Sequence, residues 1–193
     1  MPGVRVDVAC TQVSLFNKNL EEIEFCGLDK ATVEALLLGK NSLKRLPDGL
    51  GRLTMLQTLG VSNNQLTFLP PAIGDLKNLR RLWVHNNRLT SLPPEIGALP
   101  KLSELKCQNN CLTELPPTIG GLPLLLTLNV NDNQLETFPS TVSRLSDDAK
   151  ITARNNPLGG LPASVLDGGV PSLREHFGGP RYATERAQAD AEI

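Results

Sequence analysis

The segment LQTLGVSNNQL, at residues 56–66, is followed 23 positions later by LRRLWVHNNRL, at residues 79–89. The pattern continues as LSELKCQNNCL from residue 102 and LLTLNVNDNQL from residue 125, again in steps of 23. One asparagine position extends the series in both directions at the same step: Asn41, Asn64, Asn87, Asn110, Asn133 and Asn156. A fixed period of roughly 20–50 residues indicates a repeat architecture, in which each unit buries its apolar side against the next unit.

Less regular copies flank the central four in the same register. They begin at Cys10 (CTQVSLFNKNL), at Val33 (VEALLLGKNSL) and at Asp148 (DAKITARNNPL), which brings the total to about seven units. Between the strand-like segments run PPAIGDLKNL, PPEIGALPKL and PPTIGGLPLL. Proline suits an extended or helix-starting segment that needs no N–H. We therefore predict that this segment forms the opposite side of each coil and packs its isoleucine inward, at Ile73, Ile96 and Ile119.

Alternation within each copy predicts which side chains are buried. In LQTLGV, Leu59 and Val61 point inward, whereas Thr58 and Gly60 point outward. The asparagine comes where the chain leaves the strand, and its buried amide would bond backbone groups freed by the turn. Stacked copies would align these amides into a ladder.

This pattern resembles the leucine-rich repeat. The resemblance implies an α/β solenoid with a curved parallel β-sheet on its concave face and short helical or extended segments on its convex face. The segment GGVPSLREHF from Gly168 predicts a closing helix with Val170, Leu173 and Phe177 on one side. We divide the chain into an N-terminal cap with a degenerate first repeat, the repeats, a C-terminal cap and a polar tail: residues 1–32, 33–162, 163–177 and 178–193.

The 23-residue form LxxLxxLxLxxNxLxxLPxxIGxL resembles, more closely, the Ras-group leucine-rich-repeat proteins, over about residues 33–177. This resemblance implies an intracellular, non-enzymatic scaffold. It also implies partners among signalling proteins, such as a small GTPase or a phosphatase.

Composition limits the other function classes. A net charge of −1 and a pI near 6.1 argue against nucleic acid as the main partner, because phosphate binding requires a basic surface. The chain shows no apolar run of signal-peptide type and none of the roughly 20 residues that a bilayer requires. We therefore expect a soluble, cytoplasmic protein that does not bind membranes.

The four cysteines are Cys10, Cys26, Cys107 and Cys111, and no two of them form a CxxC pair. In a cytoplasmic protein we expect reduced thiols. A Cys107–Cys111 bridge or metal site is the alternative. Since no other ligand cluster is present, we predict neither a metal nor a cofactor.

The outward columns of the predicted sheet contain the candidate binding site. The chain has one tryptophan, Trp83, and alternation places it on the concave face between Gly60 and Lys106 of the neighbouring copies. We propose a docking surface for a protein segment, made of an apolar stripe with a polar rim: Phe16, Leu37, Arg81, Trp83, His85, Glu104, Lys106, Gln108, Asn129 and Asn131.

Structural roles are alternatives for some of these residues. Trp83 would shield the Gly60 backbone, as aromatic side chains do beside strand glycines. Arg81 and Glu104 are side by side, where an ion pair would simply support the sheet. Phe68 is a further outward apolar residue, and it marks a second candidate contact surface.

Two functions fit these features. The first is an adaptor that binds a protein partner through the concave face. The second is a structural subunit built permanently into a large cytoskeletal, ciliary or organellar assembly. The sequence offers no constellation of catalytic groups, so we predict that the protein is not an enzyme. We expect a monomer or a subunit of a hetero-complex.

Overall fold

The structure is a computed structural model, and it describes residues 4–6, 11–25, 32–159, 161 and 163–178. Cys10, Cys26, much of the predicted N-terminal cap and the predicted polar tail beyond residue 178 lie outside the described residues.

Seven short parallel strands form the main sheet, in the order β2-β4-β5-β6-β7-β8-β9. Their bounds are Gln12–Ser14 (β2), Ala35–Leu37 (β4), Thr58–Gly60 (β5), Arg81–Trp83 (β6), Glu104–Lys106 (β7), Thr127–Asn129 (β8) and Lys150–Thr152 (β9). Each residue pairs with the residue 23 positions later, as in Leu59 with Leu82 and Leu82 with Leu105. The period in the sequence is therefore the register of the sheet, which confirms the predicted fold.

A second, two-stranded parallel sheet lies near the N-terminus and was not predicted. Strand β1 (Val4–Val6) pairs with β3 (Ile23–Phe25), with Val4 opposite Ile23. The separation of 19 residues departs from the period of 23, so the repeat pattern gives no signal for this pairing.

The predicted alternation is confirmed in the core. The central residue of each strand from β4 to β8 and the residue two positions later are buried, as with Leu59 and Val61. Because a single coil cannot cover its own apolar residues, this aliphatic interior stays dry only while the coils remain stacked. Each buried leucine contributes about 1.5–3 kcal/mol.

Among the described residues, five 3₁₀ helices line the convex side, at Asp48–Arg52, Pro71–Asp75, Pro94–Ala98, Pro117–Gly121 and Ser140–Arg144. Proline is the first residue of three of them, where its missing N–H costs nothing. Ile73, Ile96 and Ile119 are fully buried, as the sequence predicted. These helices pack so closely that Thr118 and Thr141 donate hydroxyl bonds of 2.7 and 2.6 Å to Pro94 O and Pro117 O of the preceding coil.

Two α-helices pack on the last coil: α1 (Ala163–Asp167) and α2 (Gly169–Gly178). Val170 and Leu173 of α2 are fully buried, and Phe177 packs against the core. Arg174 donates to Ser143 O, Leu145 O and Asp147 Oδ1, which fixes α2 on the final turn. No described helix combines the length and the hydrophobicity needed to cross a bilayer.

Candidate functional site

The concave face consists of the outward side chains of the seven-stranded sheet in three columns, which follow the observed register. We use the name concave face for these residues: Gln12, Ala35, Thr58, Arg81, Glu104, Thr127 and Lys150; Ser14, Leu37, Gly60, Trp83, Lys106, Asn129 and Thr152; Phe16, Gly39, Ser62, His85, Gln108, Asn131 and Arg154.

Two glycines make the floor of an apolar patch, which we define as Phe16, Leu37, Gly39, Gly60 and Trp83. A Cβ built on Gly60 would lie 3.3 Å from Trp83 Cε3 and 3.0 Å from Leu37 Cδ2. A Cβ on Gly39 would lie 3.1 Å from Phe16 Cδ2. The two aromatic rings therefore lean toward each other over the glycines, although Phe16 is still 48% exposed. The patch covers β4 and β5 and leaves apolar surface in water.

Trp83 carries out the shielding role that the sequence suggested as an alternative, and it also has a cationic neighbour. Lys106 Nζ lies 5.7 Å from the centre of the Trp83 ring, within range of a cation–π interaction. At the other end of the patch, Lys40 Nζ lies 5.5 Å from the centre of the Phe16 ring. Both aromatic residues of the patch are thus flanked by lysines.

The expected ion pair between Arg81 and Glu104 is wrong. The two residues are opposite each other in the register, but Glu104 Oε1 instead lies 2.6 Å from Lys106 Nζ on the same strand. Arg81 Nε donates a 3.1 Å bond to Thr58 Oγ1. Glu104 and Lys106 stand two residues apart, so both point out of the same side of β7 and meet without crossing to another strand.

Three polar atoms beside the apolar patch are buried and have no hydrogen-bond partner among the described residues: Trp83 Nε1, His85 Nδ1 and Gln108 Oε1. An unsatisfied buried polar group costs about 1–3 kcal/mol, so such groups are rare where stability alone shapes the packing. Burial, and secondly the charge of Lys106, lower the pKa of His85 below its usual 6.5. The imidazole is therefore neutral at pH 7.

The C-terminal part of the face, at β8 and β9, presents hydrogen-bond donors. Asn129 Oδ1 accepts from Asn131 N at 3.1 Å, and Asn131 Oδ1 accepts from Arg154 N at 2.8 Å. A backbone N–H can donate only to the oxygen of a side-chain amide, so these bonds fix which terminal atom of Asn129 and of Asn131 is the oxygen. Both NH₂ groups therefore point away from these backbone N–H groups. Neither NH₂ group bonds to another described residue. Lys150 and Arg154 stand beside them, and neither makes an ion pair with a described residue.

The asparagines of the repeat lie below the concave face and hold the coils in register. Asn110 is typical. Its Oδ1 accepts from Leu89 N at 3.0 Å, and its Nδ2 donates to Cys107 O of its own coil at 2.9 Å and to Val84 O of the preceding coil at 3.1 Å. The same set of bonds recurs at Asn41, Asn64, Asn87, Asn133 and Asn156.

A left-handed backbone position immediately before each of these asparagines was missed by the sequence reasoning. Its six residues have φ between 53° and 57°: Lys40, Asn63, Asn86, Asn109, Asp132 and Asn155. Asn17, with φ of 56°, holds the same place in the first repeat, where Lys18 replaces the asparagine. Asparagine tolerates this conformation better than other non-glycine residues. The doubled Asn-Asn in several copies was the available signal for this turn.

Comparison with known proteins identifies the architecture. The family model described as a leucine-rich repeat region matches residues 34–111. A leucine-rich repeat protein of Leptospira interrogans is 30% identical, with a TM-score of 0.65, over 77% of this chain and 44% of its own. The chain is a leucine-rich repeat protein.

Two plant receptors share the same solenoid. The plant peptide hormone receptor RGFR1, solved in complex with RGF2, is 25% identical, with a TM-score of 0.61, over 67% of this chain and 22% of its own. The leucine-rich repeat ectodomain of the membrane receptor kinase GASSHO1/SCHENGEN3 from Arabidopsis thaliana was solved in complex with CASPARIAN STRIP INTEGRITY FACTOR 2. It is 32% identical, with a TM-score of 0.57, over 65% of this chain and 16% of its own. The chain thus spans less than half the length of each of these three proteins, and no curated protein matches it.

Leucine-rich repeat solenoids generally serve as protein-interaction scaffolds and are typically not enzymes, because their stacked coils create an extended concave surface. Among the described residues, no three His, Cys, Asp or Glu side chains converge to hold a metal ion. Cys107 and Cys111 are both free thiols, so the alternative of a bridge between them is wrong. Burial raises the pKa of Cys107.

Phe68 lies away from the concave face of this leucine-rich repeat protein, and it is 50% exposed. It lines a cleft of about 400 Å³ together with Arg45, Asp48 and the β3 residues Ile23 and Glu24. The charged side chains that line this cleft are mainly acidic, with Glu22, Glu24 and Asp48 beside a single arginine, Arg45.

Proposed function

We propose that this leucine-rich repeat protein is a non-enzymatic adaptor that binds a segment of a partner protein on its concave face. The observation that carries the proposal is the apolar patch, where Phe16, Leu37 and Trp83 converge on two glycines in an otherwise polar sheet. Trp83 is partly exposed, and tryptophan is enriched among the residues that contribute most of the binding energy at interfaces.

The unpartnered polar atoms beside the patch support a binding role. Trp83, His85 and Gln108 each hold a buried polar atom without a hydrogen bond to any part of the chain that the structure describes, a cost that packing for stability alone would avoid. The remaining polar rim is Arg81, Glu104, Lys106, Asn129 and Asn131. The complexes formed by the two plant receptors described above support a protein or peptide ligand for this fold.

The test is affinity purification from the native cell with wild-type protein beside Trp83→Ala and Phe16→Ala, followed by mass spectrometry. Phe68→Ala is the matched control for Phe16→Ala, since both phenylalanines are about half exposed and only Phe16 belongs to the concave face. We expect the patch variants to lose the partner and the control to retain it. Retention by both patch variants, with loss in Phe68→Ala, would instead place the site at the Phe68 cleft.

The identity of the partner is a finer proposal. The 23-residue LPxxIG pattern resembles that of the Ras-group proteins, which supports a cytoplasmic signalling partner such as a small GTPase or a phosphatase. A binding assay with small GTPases loaded with GTP or with GDP tests this directly. If the GTP-bound and GDP-bound GTPases are retained equally weakly while an unrelated protein is captured strongly, the small-GTPase proposal is contradicted.

A permanent structural subunit is the second candidate function. Leu124 and Leu126, at the flank of the solenoid before β8, are 52% and 51% exposed, an arrangement that favours a further lasting contact. Sizing of the native protein in a cell extract distinguishes the two roles. An adaptor is expected to run partly as a free monomer, whereas a built-in subunit is found only in a large particle.

A further inference from the structure

The concave face carries a charge opposite to that of the whole chain. Four of its side chains are cationic (Arg81, Lys106, Lys150 and Arg154) and one is anionic (Glu104), an excess of three positive charges, whereas the chain has a net charge of −1. His85 adds no charge at pH 7, because its pKa is lowered. The face therefore attracts anionic groups that the rest of the surface does not.

These charges are not uniformly available. Lys106 is neutralised by Glu104 at 2.6 Å, and Arg81 is held by the Thr58 hydroxyl at 3.1 Å. Lys150 and Arg154 make no ion pair with any described residue. Of the three cations without an ion pair to a described residue, Lys150 and Arg154 thus lie at β9 and just after it, at the end of the sheet away from the apolar patch, and Arg81 lies on β6.

The neighbouring amides match this charge. The side-chain oxygens of Asn129 and Asn131 are already occupied by backbone N–H groups, so their NH₂ groups are what remains to bind a ligand. Ammonium, guanidinium and amide NH₂ are all donors. Together they suit a carboxylate, which only accepts hydrogen bonds when ionised.

We propose that the ligand of the concave face is an acidic, extended peptide segment, with an apolar side chain on the apolar patch and carboxylates at Lys150 and Arg154. The proposal rests on the proposed function and specifies its ligand. A nucleic acid fits less well for two reasons. The patch includes an aliphatic side chain, Leu37, which offers a base neither a stacking surface nor a hydrogen bond, and the chain as a whole has a net charge of −1.

The geometry also sets the spacing within this peptide. Gly60 on β5 and Thr152 on β9 are four strand intervals apart, which is about 19 Å at about 4.8 Å per interval. An extended chain covers that distance with about six residues at about 3.3 Å each. We therefore expect an apolar residue and an acidic cluster separated by about six positions.

The experiment selects binders from a library of random linear peptides, roughly 12 residues long so that they can cross the sheet, displayed on phage against the full chain. Selected peptides are synthesised with a fluorescent label and titrated by anisotropy. The dissociation constant of each peptide is measured for wild type, for Trp83→Ala, and for the double variant Lys150→Glu with Arg154→Glu. The control double variant, Lys44→Glu with Arg88→Glu, makes the same change in net charge at exposed positions outside the concave face.

We expect the selection to return acidic peptides with the stated spacing. The double variant Lys150→Glu with Arg154→Glu should bind them about tenfold or more weakly than wild type, and the control double variant should bind them about as tightly as wild type. Both double variants should fold, because the exchanged side chains are exposed and make no hydrogen bond to a described residue. Peptides that lose binding in Trp83→Ala but contain no acidic cluster would overturn the acidic ligand and leave concave-face binding intact. A selection that returns only peptides indifferent to Trp83→Ala and to charge reversal, or returns none, would overturn both.

Discussion

The ammonium of Lys106 lies 5.7 Å from the centre of the Trp83 ring, one strand away on the concave face. Its other neighbour is Glu104 Oε1, at 2.6 Å. The carboxylate thereby positions the cation beside the indole. Since Trp83 is the only tryptophan in the chain, its fluorescence reports directly on this arrangement.

Replacing Lys106 with methionine should remove both the cation–π interaction and the partly exposed ion pair with Glu104 while keeping most of the aliphatic stem. We expect a combined loss of about 1–2 kcal/mol in the free energy of unfolding. Denaturant titration followed by Trp83 emission measures this loss. Lys150→Met, on the same face but remote from the indole, is the control, and an equal loss there would show that the interaction contributes nothing specific.

The consecutive glycines Gly120 and Gly121 should respond very differently to alanine. A Cβ on Gly120 would overlap the carbonyl oxygen of Thr141 in the next coil, whereas the nearest atom to a Cβ on Gly121 is Gly97 O at 3.8 Å. Overpacking against backbone cannot be relieved by a rotamer change. We expect Gly120→Ala to lower the free energy of unfolding by about 3 kcal/mol and Gly121→Ala by less than about 1 kcal/mol.

Thermal and denaturant unfolding of the two variants test this contrast. Similar losses at both positions would mean that the 3₁₀ helices are not as closely packed as the Thr141 hydroxyl bond to Pro117 O indicates.

Asn110→Ala should be more destabilising than Asn156→Ala. Asn110 is buried, and its removal leaves Leu89 N without an acceptor away from water. Val84 O and Cys107 O each lose one of two donors and keep the amides of Asn87 and Asn133. We expect a loss of about 1–3 kcal/mol at Asn110, chiefly from the unsatisfied buried Leu89 N–H. Asn156 is half-buried, so water replaces part of what its amide supplies. Chemical denaturation ranks the two variants, and the reverse order would contradict the role of burial.

His85 should make the stability of the protein depend on pH. Its pKa is lowered in the folded state, so the unfolded chain binds a proton more readily. Its contribution to stability is therefore complete above pH 6.5 and is lost as the pH falls from 6.5 through the lowered pKa. The measurement is the difference in the free energy of unfolding between wild type and His85→Gln at each pH in this range. Taking the difference removes the contribution of the carboxylates that the two proteins share. A difference that stays constant with pH would contradict the role of His85.

The two described cysteines should differ in reactivity. Cys107 is fully buried and its pKa is raised, so it holds little of the reactive thiolate, whereas Cys111 is partly exposed. Iodoacetamide on the native protein, followed by peptide mass spectrometry, should label Cys111 first. Cys107 should be labelled fully only after denaturation, and early labelling of Cys107 would show that the core opens locally.

Much of the concave face could be predicted because the sheet register equals the sequence period. Once residue i is placed beside residue i+23, alternation alone puts Trp83 between Gly60 and Lys106. The pairing of charges could not be predicted in this way. Register gives the backbone distance between Arg81 and Glu104, but the rotamer of Glu104 decides its partner, and Lys106 on the same strand is also within reach.

The sequence by itself determined the solenoid, the parallel register and the inward or outward direction of the repeated positions. A 23-residue period leaves one way to bury the repeated leucines, by stacking the coils. Only the tertiary structure decided what breaks the period or depends on side-chain geometry. Examples are the pairing of β1 with β3, the lean of Phe16 and Trp83 over the two glycines, and the donors left free along β9. The physical reason is that the burial of a repeated apolar residue follows from the sequence period alone. A hydrogen bond or a ring contact depends instead on side-chain rotamers, and these are fixed by packing against the neighbouring coils.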